Sequence, residues 1–281
     1  MCGGDTMDLQ IIGQALAKEI EAWMPQALAE GRVSYYVGRL DEEAPMETIA
    51  ARHEHMVHAG ASIVKTLVME YLFHLAQEGQ LDLEDSLSIH RVPPVEGGGA
   101  IQELVGNHAF TYLELCRLMM VLSDNWATNL LLQALGVEEI NGRAEELGLE
   151  VFQIQRFMMD SRARKEGREN RITAYEVAKL YDHLYHLKDH SAYGKEMWRI
   201  LGRQQFRDHI PFHWGEDVPF YHKTGCLERV EHDGGVYMSL HGDYVLVILI
   251  SDVDNDVAID GSAQLGHMMR EFLDDRLPQV Y

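Results

Sequence analysis

Three short motifs stand in one order along this chain: Ser62-Ile-Val-Lys65, Ser123-Asp124-Asn125 and Lys223-Thr224-Gly225. The first offers a hydroxyl nucleophile with an amine three residues on, and such residues share a helix face, so Lys65 can reach Ser62 and act as its base. The second adds a hydroxyl and an amide, the third a cation, a hydroxyl and a flexible backbone. Each motif alone has an ordinary structural reading as a helix N-cap or a strand end, and an S-x-x-K match arises by chance about once in a chain of this length. Together they describe acyl transfer through serine. For that chemistry, segments far apart in the chain must converge on one cleft.

The periodicity elsewhere places strands toward both ends and helices between. Ile12, Leu16, Ile20 and Trp23 recur at helical spacing and predict a helix over residues 8–24. Strands are expected over Val33–Gly38, near Thr48–Val57, and near Phe220–Thr224, Gly235–Leu240 and Tyr244–Ile250, able to join one antiparallel sheet. A last helix carries Leu265, Met268, Met269 and Phe272 on one face. Thr111-x-x-Glu114 and Thr173-x-x-Glu176 read as capping boxes. The first precedes an apolar stripe of Tyr112, Leu115, Met119 and Leu122, the second one of Val177, Leu180, Tyr181 and Leu184. Gly97-Gly-Gly99, following Pro93-Pro94, reads as a surface loop.

Composition narrows the partners. With 281 residues, 46% of them hydrophobic, the chain can bury one large core or two lobes sharing a cleft. A formal net charge of −21 repels phosphate backbones and anionic lipid surfaces, so nucleic acid and membrane are not expected partners and a small-molecule substrate is. A carboxylate-bearing substrate would need local cations such as Lys223. Cys2, Cys116 and Cys226 are odd in number and far apart, as reduced thiols are. No basic segment followed by an apolar run opens the sequence, which places the chain in the cytoplasm as written. The alternative is a secreted form, or a lipoprotein beginning at Cys2-Gly-Gly, although no lipobox precedes that cysteine.

Neither a metal nor another cofactor is expected. His53-Glu54-His55-Met-Val-His58 lacks the histidine at position 57 that a zinc helix needs, and His183, His186 and His190 share a helix face without a matched carboxylate or cysteine. Asp252-x-Asp254-x-Asp256 has Val257 where a calcium loop needs glycine and Ala263 where it needs glutamate, so it reads as an acidic surface loop. His222 precedes Lys223 on a strand and points to the opposite face.

The three motifs and their order resemble class A β-lactamases and the related penicillin-binding proteins. His58-Ala-Gly-Ala-Ser62 resembles the turn that delivers the nucleophile in that family, and Ser123-Asp-Asn-Trp-Ala-Thr-Asn129-Leu-Leu-Leu its loop entering a helix. Lys223-Thr-Gly-Cys-Leu, His232-Asp233-Gly234-Gly235, Arg156-Phe-Met-Met-Asp160 and Gly167-Arg-Glu-Asn170 resemble a subgroup of small bacterial serine hydrolases with this fold. The resemblance implies an α/β (α+β) fold: a five-stranded antiparallel sheet packed by N- and C-terminal helices, with an inserted all-helical lobe. Residues 1–61 and 209–281 would form the mixed lobe and 62–208 the helical lobe of a single domain.

It also implies roles. Ser62 would be the nucleophile and Lys65 its base, with Lys223 across the cleft helping to keep that amine neutral. Ser123 would pass a proton to the departing nitrogen, Asn125 would hold the acyl-side amide, and Asp124 would be structural. Lys223 and Thr224 suit a substrate carboxylate, Gly225 a close approach of the strand to the ligand, and the backbone N–H groups of Ser62 and Cys226 an oxyanion hole.

One departure stands out. Class A enzymes carry an Arg-x-Glu-x-x-Leu-Asn loop whose glutamate activates the deacylating water. Here Arg156 is followed by Phe157, Met158 and Met159, and the Leu-Asn pair is absent. Asp160 is the nearest carboxylate and the candidate replacement, with Glu166 and Glu169 further on; Met158 and Met159 read as core-filling. The expected activity is that of a class A β-lactamase-like serine hydrolase acting on an amide or β-lactam through an acyl-serine, with slow deacylation. The alternatives are a serine esterase or peptidase with a small intracellular substrate, and a penicillin-binding sensor that stays acylated.

Overall fold

The strand Gly242–Ser251 contains Val245-Leu-Val-Ile-Leu-Ile250, an unbroken apolar run that only a strand covered on both faces can accommodate. The computed structural model describes residues 5–239 and 241–276, so Cys2 and Leu240 lie outside the described residues. In it this strand is central in a five-stranded antiparallel sheet ordered Glu47–Arg52, Arg32–Leu40, Gly242–Ser251, Val230–Ser239, Phe220–Leu227. Leu246, Ile248 and Ile250 pack with Leu16, Ile20, Leu265 and Met269 of the helices Asp5–Trp23 and Asn255–Arg276. Val245, Val247 and Leu249 face the other way, onto Val177, Leu180, Tyr181 and Leu184 of the helix Ala174–Leu187. The period-two alternation of a strand thus divides the apolar run between two cores.

Three sequence expectations need correction. The second strand ends at Arg52, because His53 takes a positive φ of 48° and Met56 N–H donates back to its carbonyl at 2.8 Å. The chain then re-enters a ladder only at His58–Ala59, paired with Arg171–Ile172. The strands expected from Gly235 and Tyr244 begin earlier, at Val230 and Gly242. Glu231, His232 and Asp233 are polar but buried and partnered, so polarity did not end the strand there. Finally, Thr111 and Glu114 form a complete capping box, whereas at Thr173 only half of one forms. Glu176 turns its carboxylate instead to the backbone N–H groups of Glu150, Val151 and Phe152 at 2.6–3.1 Å.

The helix Lys65–Gln77 runs through the helical core, with Leu67, Val68, Met69, Leu72 and Phe73 buried. Its buried Glu70 meets Arg143 at 2.7 Å and His183 at 3.0 Å. Burial opposes that carboxylate's charge, and the two partners outweigh it and hold the pKa below its ordinary value.

Two histidines tie the His58–Ala59 strand to the sheet. His58 Nε2 lies 2.9 Å from Ser34 Oγ and its Nδ1 2.8 Å from Ser251 Oγ, while His232 Nε2 lies 2.9 Å from Ala59 O. Burial lowers the pKa of His58 to about 3 and of His232 to about 4. A depressed folded-state pKa means that the unfolded chain binds protons first. The stabilisation is complete above pH about 6.5 and is lost as pH falls toward those values, at up to about 1.4 kcal/mol per pH unit for each histidine. Denaturant unfolding at pH 7 and pH 5 should therefore show a lower free energy at pH 5; equal values would remove both histidines from this role.

Candidate active site

Ser62 sits in a 3₁₀ turn, Ala61–Val64, that leads directly into the helix starting at Lys65. Gly60 N–H donates to Asn170 O at 2.6 Å and Ile63 N–H to Gly60 O at 3.1 Å, which pins the turn at its start. Ala61 has a positive φ of 44°, a strained value for a residue with a Cβ. Ser62 is partly exposed while its neighbours Ala61, Ile63 and Val64 are buried. The sequence thus presents one hydroxyl from an otherwise apolar turn.

The second segment approaches from the helix Tyr112–Val121. Asp124 is the N-cap of the next helix, Asn125–Leu135: Oδ1 accepts from Ala127 N–H at 2.9 Å, and Oδ2 accepts from Ala100 and Ile101 N–H at 2.7 and 2.9 Å. It binds the 97–101 loop to the Ser123 turn, in keeping with a structural part. Ser123 itself is held at φ 54°.

Two buried amines converge on this serine. Lys65 Nζ donates to Ser123 O at 2.7 Å, to Ser123 Oγ at 3.0 Å and to Asn125 Oδ1 at 2.9 Å. Lys223 Nζ donates to Ser123 Oγ at 3.1 Å and to Thr224 O at 2.8 Å. None of the hydrogen bonds of Lys65 runs to the Ser62 hydroxyl. Both side chains are wholly buried. Burial first, then the charge of Lys223, pushes Lys65 well below the ordinary lysine value, with Asp124 opposing. Burial likewise brings Lys223 down to about 7, against the pull of Asp233. With its pKa lowered, Lys65 can give up one of its three N–H protons, and the neutral amine can then accept one, which the Ser123 hydroxyl between the two amines can relay.

Lys223, Thr224 and Gly225 lie on the edge strand Phe220–Leu227. A Cβ on Gly225 would stand 3.0 Å from Ser62 N and 3.1 Å from Ala61 Cβ. Glycine here permits a close approach to the Ser62 turn. It brings the strand end and the backbone of Ser62 together. Cys226 follows, its thiol 3.0 Å from Glu231 Oε1; burial and that carboxylate raise its pKa to about 12. Cys116 is buried and its thiol is pushed up by burial, and both are free cysteines. His222 turns away from Lys223 to Asp233 Oδ1 at 2.8 Å.

These segments line a cleft of about 620 Å³ that includes Ser62, Ser123, Asn125, Thr224 and Cys226. The glycine run is the expected surface loop, with Gly97 and Gly98 exposed, and these two residues also line the cleft. Gly98 O accepts from Asn125 N–H at 3.0 Å, and a Cβ on Gly99 would collide with Asp124 at 2.3 Å. The run is glycine because it packs against the Ser123 turn.

The segment between residues 150 and 172 closes one end. Met158 is buried, its backbone clamped by Asn129, which donates to Met158 O at 3.1 Å and accepts from Met158 N–H at 2.8 Å. Met159 was expected in the core. It is 55% exposed and lines the cleft, since its positive φ of 60° turns it away from Met158. Asp160 also lines the cleft, and its Oδ1 accepts from Ala163 N–H at 2.9 Å as the N-cap of Ser161–Lys165. Glu166 pairs with Arg162 and Arg168, and Glu169 with Arg156 at 2.8 Å and Arg164 at 3.5 Å.

A family model described as the β-lactamase enzyme family matches residues 15–272. The chain belongs to the β-lactamase enzyme family. Among solved structures, it is similar to the β-lactamase from Sphaerobacter thermophilus, at 22% identity and a TM-score of 0.80 over 94% of this chain and 99% of that one. Against PBP-A the identity is 22% and the TM-score 0.78, over 95% of this chain and 97% of that one. A mutant of PBP-A with the same identity and score is an acyl-enzyme complex with penicillin G. The TLA-1 extended-spectrum β-lactamase is 17% identical, with a TM-score of 0.80 over 93% of this chain and 99% of that one. At these identities the likeness is one of fold. No curated protein sequence matches the chain.

Among the described residues, no group of histidine, cysteine, aspartate and glutamate has the arrangement of a metal site, and no helix is long and apolar enough to cross a membrane. Asp252 and Asp254 engage Arg32 and Arg229 at 3.9 and 2.8 Å. Sequence reasoning missed several residues that shape the site. Asn170, buried, accepts from Gln155 and Arg156 N–H at 2.8 and 3.0 Å and so joins the 150s segment to the Ser62 turn. Asn129 was missed as well; like Asn170, it stands in a stretch that resembles the family, but with no role read for it, and no periodicity or motif marks His209.

Proposed function

We propose that this β-lactamase-like serine hydrolase cleaves an amide, above all a β-lactam, through an acyl-Ser62 intermediate. The observation that carries the reading is the Ser123 hydroxyl held at 3.0 and 3.1 Å by two wholly buried amines, on the same cleft as Ser62. In the first step the Ser62 proton passes to the neutral Lys65 amine as Oγ bonds to the substrate carbonyl carbon. The oxyanion that forms is met by the N–H groups of Ser62 and Cys226. On collapse the carbon–nitrogen bond breaks and Ser123 donates its proton to the departing nitrogen, regaining one from Lys65. Asn125 holds the acyl-side amide. The lobes formed by residues 1–61 with 209–281 and by 62–208 would supply the strand and helix sides of the cleft.

The oxyanion part gives a sharp expectation. Cys226→Ser should keep most activity, because the thiol is held by Glu231 and its pKa is raised to about 12. Cys226→Pro removes the N–H donor and should slow acylation by about 100-fold or more. Wild-type acylation in a folded proline variant would exclude this residue from the hole.

For a substrate carboxylate, the geometry favours Thr224 as the direct contact, with the buried Lys223 acting behind it through charge. Thr224→Val should then cost about 1–3 kcal/mol in kcat/KM for carboxylate-bearing substrates and little for neutral esters. Equal losses on both would mean that the motif only shapes the cleft.

A second reading is favoured by Met158 at the position of the deacylating glutamate: a penicillin-binding sensor that acylates and stays acylated. An esterase or peptidase with the same machinery is the third. Hydrolysis of a chromogenic cephalosporin and of an aryl ester, compared with the lifetime of the penicillin adduct, separates them. A burst followed by slow but continuing turnover of the cephalosporin supports the hydrolase, an adduct with no turnover beyond the burst the sensor, and ester turnover alone the esterase.

A further inference from the structure

Glu231 lies directly opposite Cys226 in the antiparallel register, so the two side chains share one face of the sheet. It is only 2% exposed, and each oxygen is engaged. Oε1 accepts from Cys226 Sγ at 3.0 Å and from Asn255 Nδ2 at 2.6 Å, and Oε2 lies 2.9 Å from His209 Nε2. The other nitrogen of His209 lies 2.8 Å from Asp208 Oδ1. Burial disfavours a charge on His209, but its bonds to Asp208 and Glu231 prevail and raise its pKa to about 10. Glu231, His209 and Asp208 all line the cleft that holds Ser62.

This places a buried carboxylate beside the strand end whose Cys226 N–H is assigned to the oxyanion, where its charge would oppose the charge developing on the substrate. Its neighbours Asp233, His232 and Asp208 do not offset it. Asp233 is engaged with His222 at 2.8 Å, burial holds His232 neutral near pH 7, and Asp208 adds negative charge from the solvent side, half exposed. His209 is the cation in contact with Glu231. We propose that His209 is a positioning residue for acylation: as an imidazolium it neutralises Glu231 behind Cys226, so that the oxyanion forms next to a balanced pair and not next to a buried negative charge. The inference rests on the proposed acylation of Ser62 and on the Cys226 N–H donor.

The test uses the full chain and benzylpenicillin. The acylation rate constant at saturation and the apparent dissociation constant are measured for wild type, His209→Gln, Glu231→Gln and the double variant, with Tm recorded for each. Charge compensation acts on the transition state, so His209→Gln should lower the acylation rate constant by about 10-fold or more with a small change in apparent dissociation constant. Removing the carboxylate as well should restore acylation to within about threefold of wild type, and Glu231→Gln alone, which keeps the His209–Asp208 pair, should acylate at least as fast as wild type. Wild-type acylation in His209→Gln, or no recovery in the double variant, overturns the inference. Should His209→Gln not fold, slower acylation in Glu231→Gln overturns it alone. If wild-type Ser62 takes no adduct, the underlying assignment fails, and the inference with it; a normal wild-type adduct unaffected by these changes refutes only the role of His209.

Discussion

Ser62→Ala should abolish covalent labelling by penicillins and by fluorophosphonates, with the chain still folded. Among the serines that line the cleft, Ser62, Ser123 and Ser161, Ser62 alone has both a lysine three residues on and the Gly225 strand end against its backbone nitrogen, at a partly exposed helix start. Ser123 also has adjacent amines, but its hydroxyl already lies between two of them as an acceptor. Losing the nucleophile removes the covalent route altogether, so the expected effect is complete at the level of labelling and not a partial loss. The folded state should be little affected, because the turn is held by backbone hydrogen bonds that alanine keeps: Gly60 N–H to Asn170 O, Ile63 N–H to Gly60 O, and the bond that the Ser62 carbonyl accepts at the end of the turn. Intact mass after incubation reads the result. Labelling of the alanine variant at the wild-type rate would move the nucleophile elsewhere.

Wild-type enzyme mixed with a chromogenic cephalosporin should release one product per enzyme in a burst, followed by slow turnover. In the proposed mechanism acylation draws on Lys65 and Ser123, which stand 3.0 Å apart. Deacylation needs a base for water, and the residue at the family's glutamate position is Met158, buried and clamped by Asn129. The nearby carboxylates are committed: Asp160 caps a helix, Glu166 holds Arg162 and Arg168, and Glu169 holds Arg156 and Arg164. An absent general base typically costs about 10²–10⁴-fold, so the second step should limit turnover. Asp160→Asn is the decisive variant, since Asp160 faces the cleft. If wild-type turnover is fast and this change traps the adduct, Asp160 has taken over the glutamate's work despite its cap. Fast turnover in both proteins would place the site incorrectly.

The sequence revealed the parts whose chemistry lies in residue type and spacing. The three motifs, the capping box at Thr111 and the apolar stripe of Val177, Leu180, Tyr181 and Leu184 are local signals, and the structure brings the motifs to one cleft. What it hid were features made by tertiary partners. The strand expected near Gly235–Leu240 begins already at Val230, because the partners that let Glu231, His232 and Asp233 be buried in it, His209, the Ala59 carbonyl and His222, are not legible in the local sequence. Glu176 looked like the second half of a capping box, yet the backbone donors at residues 150–152 compete for it and prevail. Met159 looked like core because hydrophobicity alone cannot show a positive φ, which turns this side chain into the cleft. Gly225 announced a close approach, but its packing against the backbone of Ser62 is a tertiary contact that the sequence does not show.

The central claim, acylation at Ser62 followed by slow release, is tested most directly by intact mass of the wild-type chain over time with benzylpenicillin, followed by peptide mapping. The expected result is one added penicillin per chain, carried by the peptide containing Ser62, that forms early and persists long after excess drug is removed. Rapid hydrolysis of the penicillin with no adduct accumulating, or an adduct mapped to any other residue, would contradict it.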